Sequence, residues 1–267
     1  MARILALSSH VVRGSVGLAA TVPALQSLGH EVWALPTVML AARPGLGAAA
    51  SKASGRRAAS AKELTGMLNA LEQDGCWPML DAVFTGYFAS PEAVMAVADA
   101  VARIKAAKPA VRVLVDPIIG DGGRLYVPEA TAEAIRDALL PLADIATPNL
   151  FELQWLTRAK KLDDIEAIAK ATRKLGPPSV VVTSARVTDE SILTVLVTPS
   201  GIREYESARL ADIPNGSGDL LDGLLLGHLL EGRSESAAVR GAVRNLARVL
   251  EASVGRDVLQ IGVLNFP

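Results

Sequence analysis

The pattern that most constrains this chain is an alternation. Short, nearly all-apolar runs are separated by longer stretches with helical spacing. The short runs are Arg3–Ser8, Glu31–Leu35, Ala82–Thr85, Val111–Asp116, Ile145–Thr147, Ser179–Thr183 and Leu193–Val197. Strands covered on both faces read as continuous apolar runs of this kind. The stretches predicted as helices are Gly17–Leu28, Ala61–Asp74, Pro91–Lys108, Ala130–Leu140, Phe151–Leu156, Ile165–Leu175, Asp219–Leu230 and Ser234–Ser253. Strand–helix alternation at this spacing builds βαβ units, hence an α/β fold with a mostly parallel central sheet and helices on both faces. Aromatic residues are only 4% of the chain, so Ala, Leu, Val and Ile must supply the core. No Pro/Ser-rich linker divides the sequence, so residues 1–267 are expected to form a single domain.

One stretch breaks the rhythm. Residues 41–61 (AARPGLGAAASKASGRRAASA) are rich in Ala, Gly, Ser and Arg. A loop of this length is expected to be a mobile surface segment or a lid. Within it Arg56-Arg57 reads as a solvated pair.

Several classes of function are disfavoured. Net charge is −1, so bulk attraction to nucleic acid or anionic lipid is not expected. The single cysteine, Cys76, excludes an internal disulfide framework and a thiolate zinc cage. His10, His30 and His228 are too dispersed for a histidine metal motif. No apolar run reaches the roughly 18–20 residues of a membrane helix. The opening Met1–Leu7 reads as a first strand rather than a signal segment, so a cytoplasmic location is expected. The chain lacks GxxxxGK[ST], GxSxG and a GxGxxG after its first strand.

In open parallel sheets ligands bind beyond the carboxyl ends of the strands. Polar residues gather there: Ser8-Ser9-His10, Thr37, Thr85-Gly86-Tyr87, Asp116-Pro117, Thr147-Pro148-Asn149 and Thr183-Ser184. Each alone is an ordinary cap or turn; their shared placement points to a site. Three segments carry the most chemistry. Asn215-Gly216-Ser217-Gly218-Asp219 precedes an apolar helix. Small residues let backbone N–H groups converge there, and a helix N-terminus favours anions. Asp219 beside such an anion can accept a proton from an attacking hydroxyl. The same five residues also suit a plain turn with an N-cap. Asp222, three residues on, is expected to face solvent or cap the same turn. Asp116-Pro117 leads into a Gly-rich loop carrying Asp121, Arg124 and Tyr126, and its carboxylates suit Mg²⁺ or a simple polar loop. Asn149 and Glu152 have capping-box spacing, with a role beside a metal–phosphate cluster as the alternative.

Taken in register, these segments resemble the ribokinase-like kinases, and within them the pyridoxal kinases. Ser8–Gly17 (SSHVVRGSVG) resembles that family's substrate-side SHVxxGxVG segment, and Trp33–Val38 its second strand. Thr85-Gly86-Tyr87 resembles its TGY turn, and Asp116-Pro117 through Leu125-Tyr126-Val127-Pro128 its DPVxGD…LYVP loop. Thr147–Leu153 resembles TPNxFEL, and Gly216-Ser217-Gly218-Asp219 the superfamily's GxGD signature. The agreement runs from residue 3 to about residue 232. It implies a three-layer α/β/α sandwich and ATP-dependent phosphorylation of the hydroxymethyl group of pyridoxal. It implies Asp219 as the catalytic base, with Gly216, Ser217 and Gly218 stabilising the transferring phosphoryl group. Asp116 and Glu152 would hold Mg²⁺, partly through water. Asp116, Tyr126, Asn149, Thr183 and Ser184 would lie along ATP. Ser9, Val16, Val38, Arg43 and Tyr87 would face the B6 ring. The resemblance also suggests a homodimer and leaves a monovalent cation as an open addition. The sequence departs from the family where many members carry a ring-contacting His and Thr: here stand Arg43 and Pro44. Proline supplies no hydroxyl, and arginine brings a permanent charge. Two alternatives stand beside this reading: a hydroxymethylpyrimidine kinase of the same fold, and a degenerate kinase that binds pyridoxal phosphate or nucleotide without turnover.

Overall fold

The structure is a computed structural model that describes residues 1–42 and 55–264. Arg43 and Pro44 lie outside the described residues. In chain order the elements that place the site are β1 (Arg3–Arg13), α1 (Leu18–Ser27), β2 (Glu31–Ala42), β3 (Arg56–Ala58), α2 (Ala61–Gln73), β4 (Ala82–Thr85), α3 (Pro91–Ala107) and β5 (Arg112–Val115). They continue with β6 (Gly120–Asp121), β7 (Arg124–Leu125), α4 (Glu129–Ala134), β8 (Ile145–Ala146), α5 (Leu150–Thr157) and α6 (Ile165–Thr172). The last are β9 (Ser179–Val187), β10 (Ser191–Thr198), β11 (Gly201–Ala208), α7 (Ser217–Leu230) and α8 (Glu235–Ser253).

The main sheet has the order β11-β10-β9-β8-β5-β4-β1-β2-β3. The six strands from β9 to β2 are parallel, while β3, β10 and β11 are antiparallel to their neighbours. This is the mostly parallel sheet the apolar runs predict. Period-two alternation divides β1 between two cores. Leu5 and Leu7 pack with α2, α3, α5 and α6, while Ile4 and Ala6 pack with α1, α7 and α8. β1 lies between β2 and β4, so strand order reverses beside it and opens a crevice at the carboxyl edge.

Local chemistry sets the helix starts. Ser60 and Glu63 form a capping box at α2, and Asn149 and Glu152 form another at α5. Ser90, Asp164 and Ser234 cap α3, α6 and α8.

Four expectations need correction. The 41–61 stretch is not all loop: residues 41–42 belong to β2, Arg56–Ala58 pair with β2 as β3, and Ala61 opens α2. Residues 43–54 lie outside the described residues. The helix expected over Ala130–Leu140 is α only to Ala134 and then widens to a π-turn over Ile135–Leu139, ahead of Pro141. Strands β1 and β2 run on to Arg13 and Ala42, so Ser8-Ser9-His10 lies inside a strand rather than at its end. Likewise β9 passes through Thr183-Ser184 and continues to Val187. The edge strand β11 has no counterpart among the expected strands. Its Arg203, Glu204 and Glu206 mask the apolar signal, as charges on an edge strand commonly do.

Candidate active site

The start of α7 differs from the starts of α2, α3, α5, α6 and α8. Gly216 precedes it at φ 113°, with no side chain capping the first turn. The first amide groups of a helix have no partner within it, which leaves those of Ser217 and Gly218 for an anion, while the Asp219 amide bonds its own carboxylate. Gly216 is required twice over. Its φ lies in the left-handed region, and a Cβ there would collide with the Ser15 carbonyl oxygen. The β1–α1 loop thus sits directly on the glycine turn. Gly218 is exposed, and a Cβ there would meet nothing within 4 Å, so the turn is open to solvent on that side.

Asp219 stands in this first turn. Thr21 of α1 donates to the Asp219 carbonyl oxygen at 3.0 Å, tying α7 to α1. Its carboxylate Oδ1 is shut off from solvent and has no hydrogen-bond partner. Burial pushes the carboxyl up to about 6, although the Gly17 amide opposes the rise. A group held near neutrality in this way is suited to accept a proton.

Behind Asp219 lies a group of buried acids. Asp116 at the end of β5 is 7% exposed, Glu152 in α5 3%, and Asp222 in α7 1%. Burial, followed by the Asp222 and Asp219 charges, drives Asp116 well above the usual carboxylate range. Burial raises Asp222 to about 7, with Asp116 and Thr147 facing it. Asp222 Oδ2 and the Thr147 hydroxyl nevertheless lack hydrogen-bond partners of good geometry. The expectation that Asp222 faces solvent is therefore wrong. One helical turn separates it from Asp219, and that spacing carries it to the same inward face.

Glu152 does the work of a clamp. Its Oε1 accepts the backbone N–H groups of Ile119 and Gly120 at 2.8 and 3.2 Å, and Oε2 accepts that of Asn149 at 2.9 Å. Asn149 returns a bond from Nδ2 to the Gly120 carbonyl at 2.8 Å. The capping-box reading is thus right, and the same box also pins the loop after Asp116. Burial and the Asp116 charge outweigh those amides and raise Glu152 to about 8. The pinned loop holds Ile118 at φ 29°, a strained value for a β-branched residue. It then turns through Gly122 and Gly123, both at positive φ, as a tight hairpin between β6 and β7.

Asn149 also bridges to Thr183, whose amide donates to the Pro148 carbonyl at 3.0 Å. Ser184 follows at φ 49°, on the exposed side of an irregularity in the β9–β10 pairing. Tyr126 is anchored by its amide to the Ile119 carbonyl at 2.8 Å, and its ring is 53% exposed. Ser184 and Tyr126 therefore sit at the rim rather than within the acid cluster.

The crevice beside β1 holds the remaining candidates. Register shifts between Ser8 and Ser9, so that β2 inserts Thr37 as an extra residue. The bulge turns the Thr37 hydroxyl onto the Tyr87 carbonyl at 2.6 Å. Ser8 accepts the Tyr87 amide at 3.1 Å, and Arg56 donates to the Tyr87 hydroxyl at 3.2 Å. Tyr87 is thus fixed by β1, β2 and β3 together. Ser9 pairs with the fully buried Val38, and its hydroxyl lies against Gly17, next to half-buried Val16. Sequence reasoning missed Thr37's exact partner, Arg56 and Asp222. A mid-strand Pro36-Thr37 is a signal for a bulge; nothing in the sequence signals the other two.

No set of three metal-ligating side chains converges among the described residues. Two surface concavities, of about 370 and 350 Å³, are lined by none of the residues above. A sequence profile of the phosphomethylpyrimidine kinase family matches residues 58–262. The pyridoxal kinase PdxY of Corynebacterium diphtheriae is 31% identical over 98% of this chain and 93% of its own length. The chain belongs to the pyridoxal kinase family. Solved members share its fold closely. Pyridoxal kinase from Entamoeba histolytica superposes with a TM-score of 0.88 at 25% identity, covering 98% of this chain and 94% of that one. Pyridoxal kinase from Leishmania donovani, in complex with ADP and pyridoxine, gives 0.86 at 27% identity, covering 97% and 92%.

Proposed function

We propose that this protein is a kinase that transfers a phosphoryl group from ATP to the hydroxymethyl group of pyridoxal. The single observation that carries this reading is Asp219, a half-buried residue whose Oδ1 is sealed from solvent and whose carboxyl burial pushes up to about 6, beside an uncapped, glycine-initiated helix start. In the reaction Asp219 accepts the proton of the attacking hydroxymethyl group as the new O–P bond forms. The amides of Gly216, Ser217 and Gly218 hold the charge of the phosphoryl group in transfer. Gly216 keeps that cradle open because any side chain would displace Ser15.

The donor set suits Mg²⁺. Asp116 and Glu152 are buried carboxylates and the Thr147 hydroxyl is a buried oxygen without a partner, which makes a set of hard oxygen donors. Mg²⁺ commonly takes one or two carboxylates and completes its shell with water and phosphate oxygens. Asp116 would hold the ion, with Glu152 acting indirectly, since its own oxygens already accept amides. The bound ion would neutralise the phosphates of ATP. Asn149 and Thr183 line the nucleotide side, joined by their bridge, with Ser184 and Tyr126 at the rim. Ser9, Val16, Val38 and Tyr87 form the ring side, and the resemblance assigns Arg43 to it as well.

A cytoplasmic setting is consistent with the lone cysteine, and no helix among the described residues is long and apolar enough to cross a membrane. A homodimer is consistent with exposed Val12 and Met39 on the extended ends of β1 and β2.

The deciding assay follows ADP release with Mg²⁺ and ATP, comparing pyridoxal, pyridoxine, pyridoxamine and hydroxymethylpyrimidine. Selective turnover of a B6 vitamer is expected. Turnover of the pyrimidine alone would keep the phosphoryl-transfer machinery and change the substrate. ATP binding without turnover of any alcohol would identify a binding protein.

A further inference from the structure

Asp222 raises a problem that the reaction as described does not solve. Its side chain is 1% exposed and Oδ2 has no hydrogen-bond partner. Every Lys or Arg paired with an acid among the described residues pairs elsewhere. A buried carboxylate with no cationic partner is costly. Asp222 could have been Asn, Ser or Ala with far less penalty. The surrounding atoms indicate what offsets the cost. Strands β4, β5 and β8 are neighbours, and they end at one level: the Asp116 amide donates to Thr85 and the Thr147 amide to Val115. Asp116 and Thr147 thereby reach the same layer of the carboxyl edge, and Asp222 descends onto them from α7. The Thr147 hydroxyl is 4% exposed at residue level and also unpartnered. Three hard oxygen donors thus face one another, with Asp116 and Thr147 close enough to act on Asp222 as hydrogen-bonding groups but not at good hydrogen-bond geometry.

We infer that Asp222 is a second carboxylate of the divalent-cation site, which it frames with Asp116 and the Thr147 hydroxyl. The inference rests on the phosphoryl-transfer reading above and extends it. With one carboxylate, such an ion arrives chiefly as a partner of the nucleotide phosphates. With two carboxylates, the protein has its own affinity for Mg²⁺ or Mn²⁺ before nucleotide binds. Water and phosphate oxygens complete the shell, which agrees with the absence of a third converging acid among the described residues.

The test uses the full-length protein without ATP or any alcohol, with Mn²⁺ as the probe and free Mn²⁺ counted by electron paramagnetic resonance. Wild type should bind one Mn²⁺, and Asp222→Asn should bind it roughly 10–100-fold more weakly. The metal-free variant should melt no lower than wild type, because a neutral amide replaces a carboxyl whose ionisation is disfavoured beside Asp116, Asp219 and Glu152. Equal Mn²⁺ affinity in Asp222→Asn would overturn the inference: Asp222 would then be a protonated hydrogen-bond donor to Asp116, a role an amide also fills. If Asp222→Asn does not fold, Asp222→Ser is read in the same way. Wild type that binds no Mn²⁺ at millimolar concentration overturns the inference without any variant. The readout needs no substrate, so the two readings fail separately. Turnover of pyridoxal with unchanged Mn²⁺ affinity sinks only the role of Asp222. Asp222-dependent Mn²⁺ binding in a protein that phosphorylates no vitamer sinks only the substrate.

Discussion

Asp219 combines two demands that oppose one another. It must be buried enough to approach neutrality, and open enough to meet an alcohol. Its Oδ1 is sealed from solvent while the residue as a whole is only half-buried beside exposed Gly218, which meets both. Replacing it with Asn should lower kcat by about 10²–10⁴-fold, the usual share of a general base. The KM for ATP should change little, since the amide cradle survives. Because the acid form of Asp219 cannot accept a proton, wild-type kcat should fall as pH drops through about 6. Steady-state kinetics from pH 5 to 8 check both points, and near-normal turnover in Asp219→Asn would remove this residue from the role.

Among the elements, α1 and α7 pack with no room for one more methyl group at Gly223. A Cβ on Gly223 would stand 2.7 Å from Ala24 Cβ and 2.8 Å from the Thr21 carbonyl oxygen. The same Thr21 anchors the Asp219 carbonyl. Gly223→Ala should therefore push the helices apart and cost about 1–3 kcal/mol, as overpacking commonly does. For a chain of this size that lowers Tm by roughly 2–10 °C. The shift also displaces Asp219 from its cradle, so kcat should fall more than KM rises. Calorimetry beside kinetics separates the two effects; a lower Tm with unchanged kcat would show that α7 tolerates the movement.

At the scale of the whole molecule, the buried acids make stability depend on pH. Asp219 titrates near 6 and Glu152 near 8 in the fold, against ordinary values of 3.8 and 4.5. Between those limits the folded chain holds protons that the unfolded chain has released. Their contribution to stability is therefore fully present below about pH 4 and is lost as pH rises to about 8, while His228, whose pKa burial lowers from 6.5, contributes in the opposite sense. Asp219 alone contributes a loss on the order of 3 kcal/mol, at about 1.4 kcal/mol per pH unit. Urea titrations in a chelator should show a falling midpoint from pH 4.5 to 8, and excess Mg²⁺ should flatten the curve. A midpoint that rises over this range would mean that the acids are already compensated without metal.

The strands were legible because burial on both faces leaves no room for polar residues. Ala82–Thr85 reads as a strand for that reason and is one. The catalytic edge was legible in outline for a related reason: Gly216, Asp116 and Asn149 must stand at strand ends and helix starts to expose backbone groups. Other features depended on distant neighbours. Asp222 is an acid within an otherwise apolar run, and its neighbours in sequence do not say what it faces; it meets Asp116 and Thr147 only through the packing of α7 onto the sheet. Thr37 reaches Tyr87 only through a one-residue slip in register. The edge strand β11 and the pairing of Arg56 with Tyr87 likewise belong to the assembled sheet. Local periodicity and backbone chemistry determined the elements, the parallel sheet and the edge that bears the site. Only tertiary packing decided which charges lost their water, and so which carboxylates became unusual acids, because desolvation depends on everything that surrounds a group rather than on its place in the chain.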